Sequence, residues 1–151
     1  MLSHLKNYAY RSEVSPEHLV HMTDWLLQWR KRDPDLSFSI VLIDFKNPSD
    51  LGNALGAKYA MELIRRVGSE INSALRTTDM YSRAHVSSFW VLLPKGDPEI
   101  VLRKLEPILL AARRDGMDAT QLNVRKIVIP TDIASDVTAS EIFNQMQTSD
   151  H

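Results

Sequence analysis

The run Phe38-Ser-Ile-Val-Leu-Ile-Asp44 constrains this chain more than any other segment. A nearly continuous apolar stretch closed by an acid is the pattern of a central β-strand with a carboxylate at its C-terminal end, a place where ligands often gather. After a polar segment from Asp44 to Gly56 that carries Pro48 and Gly52, apolar residues recur at Ala60, Leu63, Ile64, Val67, Ile71, Ala74 and Leu75. Spacings of three and four mark a long amphipathic helix, with Arg76 at its C-terminal edge. Met80 to Ala84 and Ser88 to Leu93 are strand-like runs around a short polar turn, so they read as a hairpin that Pro94 ends. Asp97-Pro98-Glu99 opens another helix, whose Val101, Leu105, Ile108, Leu109 and Ala112 face the core before Gly116 stops it, and Leu122 to Ile129 supplies a further strand. Strand, helix, strand, strand, helix, strand is the ferredoxin-like βαββαβ order, an α+β fold with an antiparallel central sheet flanked by helices.

An extra helix precedes this core. Ser15 caps it, Pro16 takes its first position, and it is expected to run to about Arg32, where Asp33-Pro34-Asp35 ends it. Leu19, Met22, Trp25, Leu26 and Trp29 fall on one stripe, expected to be buried. Near the other end, Thr138 and Glu141 have capping-box spacing, which starts a last short helix near Ala139. With no repeat, low-complexity tract or linker, residues 1–37 read as an N-terminal helical segment of the same domain as 38–151.

Composition narrows the function classes. A chain of 151 residues suits one core, and 44% hydrophobic with 25% charged residues is ordinary for a globular domain. The formal net charge of -1 gives no general attraction to nucleic acid or to anionic membranes, so a nucleotide would need a local site. Absence of cysteine removes disulfides and thiolate chemistry and fits a cytoplasmic location. Apolar runs at Ile40–Ile43 and Ile108–Ala112 are far below the roughly 20 residues that span a bilayer, so no membrane insertion is expected, and Met1-Leu-Ser-His-Leu-Lys6 lacks the apolar stretch of a signal peptide, so secretion is not expected.

From Arg76 to Pro94 the sequence Arg-Thr-Thr-Asp-Met-Tyr-Ser-Arg-Ala-His-Val-Ser-Ser-Phe-Trp-Val-Leu-Leu-Pro resembles the signature hairpin of the GGDEF family of diguanylate cyclases. Arg83, Phe89 and Pro94 are in register with it. Without a gap, Glu62 to Val67 resembles the family's preceding helix, and Val41-Leu-Ile-Asp44 the strand carrying its first metal aspartate. The resemblance spans roughly Phe38 to Pro130 and implies the nucleotidyl cyclase type of ferredoxin-like fold.

The same comparison implies that the chemistry is lost. In the family two glycines let the turn adopt positive φ and approach phosphates, and the neighbouring acid helps hold magnesium. Here those slots read His85, Val86, Ser87 and Ser88 ahead of Phe89. A β-branched valine disfavours positive φ, and serine brings no charge to a divalent cation. Asp44 is left as a vestigial metal carboxylate. The second metal aspartate falls on Lys46, and the guanine-reading Asn and Asp positions fall on Gly52 and Met61. The family's Ala-Lys-x-x-Gly-Arg-Asn helix and its upstream Asp-x-Leu-Thr signature are also missing, the latter replaced by Tyr10-Arg-Ser-Glu-Val-Ser-Pro16. No catalytic residue, metal or cofactor is therefore expected.

One family feature survives. Arg76-Thr-Thr-Asp79 matches the Arg-x-x-Asp inhibitory site at which family members bind cyclic di-GMP, and an arginine fork with an aspartate acceptor suits guanine. Arg103 is the nearest match for a supporting basic contact, while the next basic position falls on Pro107. Both residues also have local explanations, Arg76 in the helix dipole and Asp79 in a turn. Elsewhere, His18 and His21 with Asp24 have metal-compatible spacing but read better as a solvated helix face. His85 reads as an exposed loop histidine, and Ser87 and Ser88 have no assignable base. Trp25 and Trp29 fit core packing better than a stacking platform, whereas Trp90, alternating with core positions, is the candidate for exposure and for an interface. The expectation is a non-enzymatic regulatory domain of cyclic di-GMP signalling that acts through this dinucleotide or a protein partner; the alternative is a structural or dimerising module that binds no nucleotide.

Overall fold

A computed structural model describes residues 12–133 and 136–148. Helix α1 (Pro16–Arg32) leads into β1 (Phe38–Phe45), followed by α2 (Pro48–Leu55), α3 (Ala57–Ala74), β2 (Met80–His85), β3 (Ser88–Pro94), α4 (Pro98–Arg114), β4 (Leu122–Ile129) and α5 (Ala139–Thr148). The strands form one antiparallel sheet in the order β2-β3-β1-β4. This is the ferredoxin-like α+β arrangement, with the N-terminal helix added. Of the N-terminal segment, residues 1–11, including Tyr10, lie outside the described residues.

Local sequence explains where the helices begin. The Ser15 hydroxyl accepts from the His18 N–H at 3.1 Å, and Asp97 accepts from the Glu99 N–H at 3.0 Å, each ahead of a proline that has no N–H to satisfy. Thr138 and Glu141 form the reciprocal capping box: the Glu141 N–H donates to Thr138 and the Thr138 N–H to Glu141. The Asp44–Gly56 segment is not all loop, because Asn47 caps and Pro48 opens α2. Gly56, at φ 88°, turns the chain from α2 into α3, a conformation that glycine adopts without cost.

The strand period of two divides the core between the sheet faces. Val41, Ile43, Phe45, Phe89 and Val91 pack under α3 and α4, while Ile40, Leu42, Trp90 and Leu92 pack under α1 and α5. Helices on both faces leave the central strands β1 and β3 no exposed side. This reverses the expectation for the tryptophans. Trp90 is 4% exposed and meets Phe143 edge-on at 4.6 Å, whereas Trp25 and Trp29 are 48% and 44% exposed. Helix α1 buries Leu19, Thr23 and Leu26 instead, so the tryptophans stand on the flank of its stripe. Asp24, read as a companion to His18 and His21, accepts from the Ala139 N–H at 2.8 Å and ties α1 to the start of α5; both histidines are exposed.

Candidate functional site

The hairpin of β2 and β3 has two ends, and each holds one group of candidate residues. At the closed end, His85 pairs with Ser88 across a turn formed by Val86 and Ser87, with a register shift between Arg83 and His85. Val86 points outward, 60% exposed, while Ser87 and Ser88 are buried. The Ser87 hydroxyl donates to the Phe45 carbonyl at 3.2 Å, and the Phe45 N–H donates to the Ser87 carbonyl at 2.9 Å, so the turn is bonded to the end of β1. Among the described residues other than glycine, only Lys95 and Asp136 have positive φ. The turn therefore lacks the left-handed backbone that two glycines would supply. Phe89 is fully buried, and the Arg83 guanidinium lies 5.0 Å from its ring centroid.

Asp44, half-buried, sits opposite Ser88 on one side and Asn123 on the other, both uncharged. Lys46 and Met61 are exposed, and Gly52 lies inside α2. Among the described residues no three His, Cys, Asp or Glu side chains gather as a metal site. Helix α5 carries neither lysine nor arginine.

At the open end, α3 stops at Ala74 and the chain turns through Arg76 to Asp79 before β2. The Asp79 N–H donates to the Arg76 carbonyl at 3.0 Å, and Asp79 Oδ2 accepts from the Arg76 N–H at 2.9 Å. The side chains form a two-pronged ion pair: Arg76 Nε to Oδ2 at 3.1 Å and Nη2 to Oδ1 at 2.9 Å. Nη2 also donates to the Pro94 carbonyl at 2.7 Å, which joins this turn to the end of β3. The hydrogen bonds to Asp79 hold the Arg76 guanidinium above its ordinary pKa. Only 3% of the Asp79 side chain is exposed, against 53% for Arg76. Asp79 thus fixes the arginine from below, and no bond to another described residue engages Arg76 Nη1.

Gly96 makes this arrangement spatially feasible, because a Cβ there would lie 2.9 Å from Arg76 Nη2 and 2.7 Å from Leu93 Cβ. Arg76 also lines an apolar groove of about 480 Å³ between α1 and the sheet, together with Trp25, Trp29, Thr78, Pro94 and Lys95. Sequence reading placed these tryptophans in the core and so did not connect them with Arg76. Arg103 lies elsewhere, in a shallow groove on α4 with Glu99, Glu106, Arg113 and Val124. Pro107 stands four residues on and offers no N–H to the Arg103 carbonyl.

Sequence comparison agrees with the architecture. The family profile described as "Diguanylate cyclase, GGDEF domain" matches residues 19–130. No curated protein matches. Among solved structures, the chain is similar to the GGDEF domain of YfiN, or TpbB, from Pseudomonas aeruginosa, with 18% identity and TM-score 0.63 over 91% of this chain and 87% of that one. A DGC protein from Thermotoga maritima aligns at 10% identity and TM-score 0.65 over 92% and 96% of the two chains. The GGDEF domain of DgcB from Caulobacter crescentus, solved in complex with c-di-GMP, aligns at 13% identity and TM-score 0.60 over 89% and 81%. At these identities the structural likeness establishes the fold alone. Because the profile covers most of the chain, from α1 to the end of β4, this protein belongs to the GGDEF domain family of cyclic di-GMP signalling.

Proposed function

We propose that this domain is a degenerate, non-enzymatic regulatory member of the family, with diguanylate cyclase chemistry lost and Arg76 serving as the contact for cyclic di-GMP. The observation that carries the reading is the bonding of the hairpin tip. Its serines bring no charge, and the Ser87 hydroxyl is spent on the Phe45 carbonyl. Phosphoryl transfer depends on positioning and on neutralising charge as it develops. A turn without glycine, carboxylate or positive φ supplies neither, and Asp44 stands between two neutral partners.

The open end retains the chemistry to read a guanine or a phosphate. Asp79 orients the guanidinium, and Nη1 is left to donate to a single guanine acceptor, O6 or N7, or to a phosphate oxygen. Asp79 is then a positioning residue, its buried carboxylate engaged by Arg76. A second reading, a structural module without nucleotide, draws support from the same geometry, since the Arg76–Asp79–Pro94 bonds give both residues a local task.

Two experiments decide between them. Incubation of the purified domain with GTP and magnesium or manganese should give no cyclic di-GMP; product that disappears in Asp44→Ala would refute loss of chemistry. Calorimetry with cyclic di-GMP should show binding by the unaltered domain, abolished by Arg76→Ala, strongly weakened by Asp79→Ala and little changed by Asp44→Ala. Arg103→Ala should give an intermediate loss if that residue supports the ligand. Absence of heat at high ligand concentration would make the structural module the better reading.

A further inference from the structure

Two half-exposed tryptophans beside an outward arginine are unusual on a surface that sequence alone assigned to the core. Trp25 and Trp29 stand one turn apart on α1, with ring centroids 4.8 Å apart and planes at 72°. Rings at that angle form a corner: a flat group stacked on one ring turns its edge toward the face of the other. Both rings line the apolar groove, together with Leu26, Leu92, Arg76 and Lys95, and they also border a second recess with Gln28 and Arg32. None of the described residues lining the groove is acidic, although Asp79 behind Arg76 partly offsets that cation. A groove of about 480 Å³, mostly apolar with a few polar groups at one side, lies within the usual range for small-molecule sites.

Lys95 supplies an independent observation. It adopts φ 52°, the left-handed region that lysine rarely occupies and glycine occupies freely. The strained turn is held in place by three bonds: the Lys95 N–H to the Ser37 carbonyl at 2.9 Å, the Ser39 hydroxyl to the Gly96 carbonyl at 3.2 Å, and Arg76 to the Pro94 carbonyl. A cationic side chain therefore stands at a position suited to glycine, beside an aromatic groove, at a cost to the fold.

We propose that this groove is a base-stacking subsite: a guanine of cyclic di-GMP lies against the Trp25–Trp29 corner, with its phosphate on Lys95 and Arg76 Nη1. The inference rests on the reading that the domain binds this dinucleotide, and adds where the base goes. Stacking supplies the base contact, and the two cations supply charge.

The test uses tryptophan emission and calorimetry on the full chain, with cyclic di-GMP and, as an anion without a base, inorganic pyrophosphate. Of three tryptophans, Trp90 is buried and contributes a constant background. Cyclic di-GMP should quench the emission of the other two, and pyrophosphate should not. Trp25→Ala and Trp29→Ala should each weaken cyclic di-GMP by about tenfold, while the phenylalanine variants, which retain a stacking face, stay within about threefold. Lys95→Gly should raise the melting temperature while weakening the ligand about threefold, a loss that shrinks as salt rises. Binding with unchanged emission and unaltered affinity in both alanine variants would overturn the subsite and leave the Arg76 reading standing. Folded phenylalanine variants that lose as much as the alanine ones would also overturn it. No binding of cyclic di-GMP by the unaltered chain would remove both.

Discussion

The two ends of one hairpin, roughly 16 Å apart along its strands, treat their polar groups in opposite ways. At the closed end, the Ser87 hydroxyl and carbonyl both bond to Phe45, so the tip is satisfied within the fold. At the open end, the buried Asp79 carboxylate draws on three donors of Arg76, yet the guanidinium remains half in water with Nη1 free of described partners. On the proposed reading, chemistry is lost where replacement residues direct their polar atoms inward, and binding is kept where an inward group holds an outward one. That proposal gives structure to the closed end and recognition to the open end, and it can be broken by substitution.

The largest effect should come from between the two ends. Trp90 is buried against Phe143, so Trp90→Ala should cost about 3–5 kcal/mol in denaturant unfolding. Trp25→Ala, on the exposed flank of α1, should stay within about 1 kcal/mol. Equal costs would mean that Trp25 belongs to the core after all, and the recognition assigned to the open end would lose its aromatic wall.

Arg76→Ala comes next. It leaves a buried carboxylate with the backbone N–H of residue 76 as its remaining described donor, and breaking such a pair costs about 3–5 kcal/mol when it is fully buried. The half-exposed arginine reduces this to about 2 kcal/mol here. Asp79→Ala should cost less, since the arginine left behind can hydrate. The reverse order, measured by urea unfolding, would show that Asp79 matters as a turn cap more than as an ion-pair partner. Ser87→Ala should be smaller again, about 1 kcal/mol for one buried hydroxyl bond. A cost above that of Arg76→Ala would mean that the closed end, not the open end, is the more heavily built.

Much of the fold was legible because its signals are local or periodic. Ser15-Pro16, Asp97-Pro98 and Thr138 with Glu141 announce helix starts chemically, and the strand runs announce the sheet. Helix α2 escaped because it buries one residue, Leu51, and no period can be read from that, although Asn47-Pro48 repeats the Ser15-Pro16 signal. The tryptophans misled for a different reason. Spacing of three and four includes the flanks of a buried stripe, and only the packing of α1 and α5 on the second sheet face places Leu19, Thr23 and Leu26 inward and covers Trp90. The Arg76–Asp79 pairing was visible as letters. Its attachment to Pro94, and the groove beside it, depend on contacts that bring the end of β3 and the flank of α1 to the same turn.

The smallest effect concerns a pair remote in sequence and outside the hairpin, which makes it a reference for what an ordinary surface contact does. The Tyr59 hydroxyl on α3 donates to Asp115 Oδ2 beyond the end of α4. That hydrogen bond first, then burial and the nearby negative charge, hold the phenol above its ordinary pKa. Deprotonation removes the donor and leaves a phenolate beside a carboxylate. A raised folded pKa means that the contribution to stability is complete below the ordinary tyrosine value of about 10 and is lost as pH rises through the folded value. The difference in phenolate absorbance between the unaltered chain and Tyr59→Phe should therefore titrate later than a free tyrosine, and Asp115→Asn should bring it earlier. A difference that titrates at the ordinary value would show the pair to be absent in solution. If instead this exposed pair responded to pH while Arg76→Ala cost nothing, the open end would be no more strongly built than ordinary surface, and its claim as a recognition site would weaken accordingly.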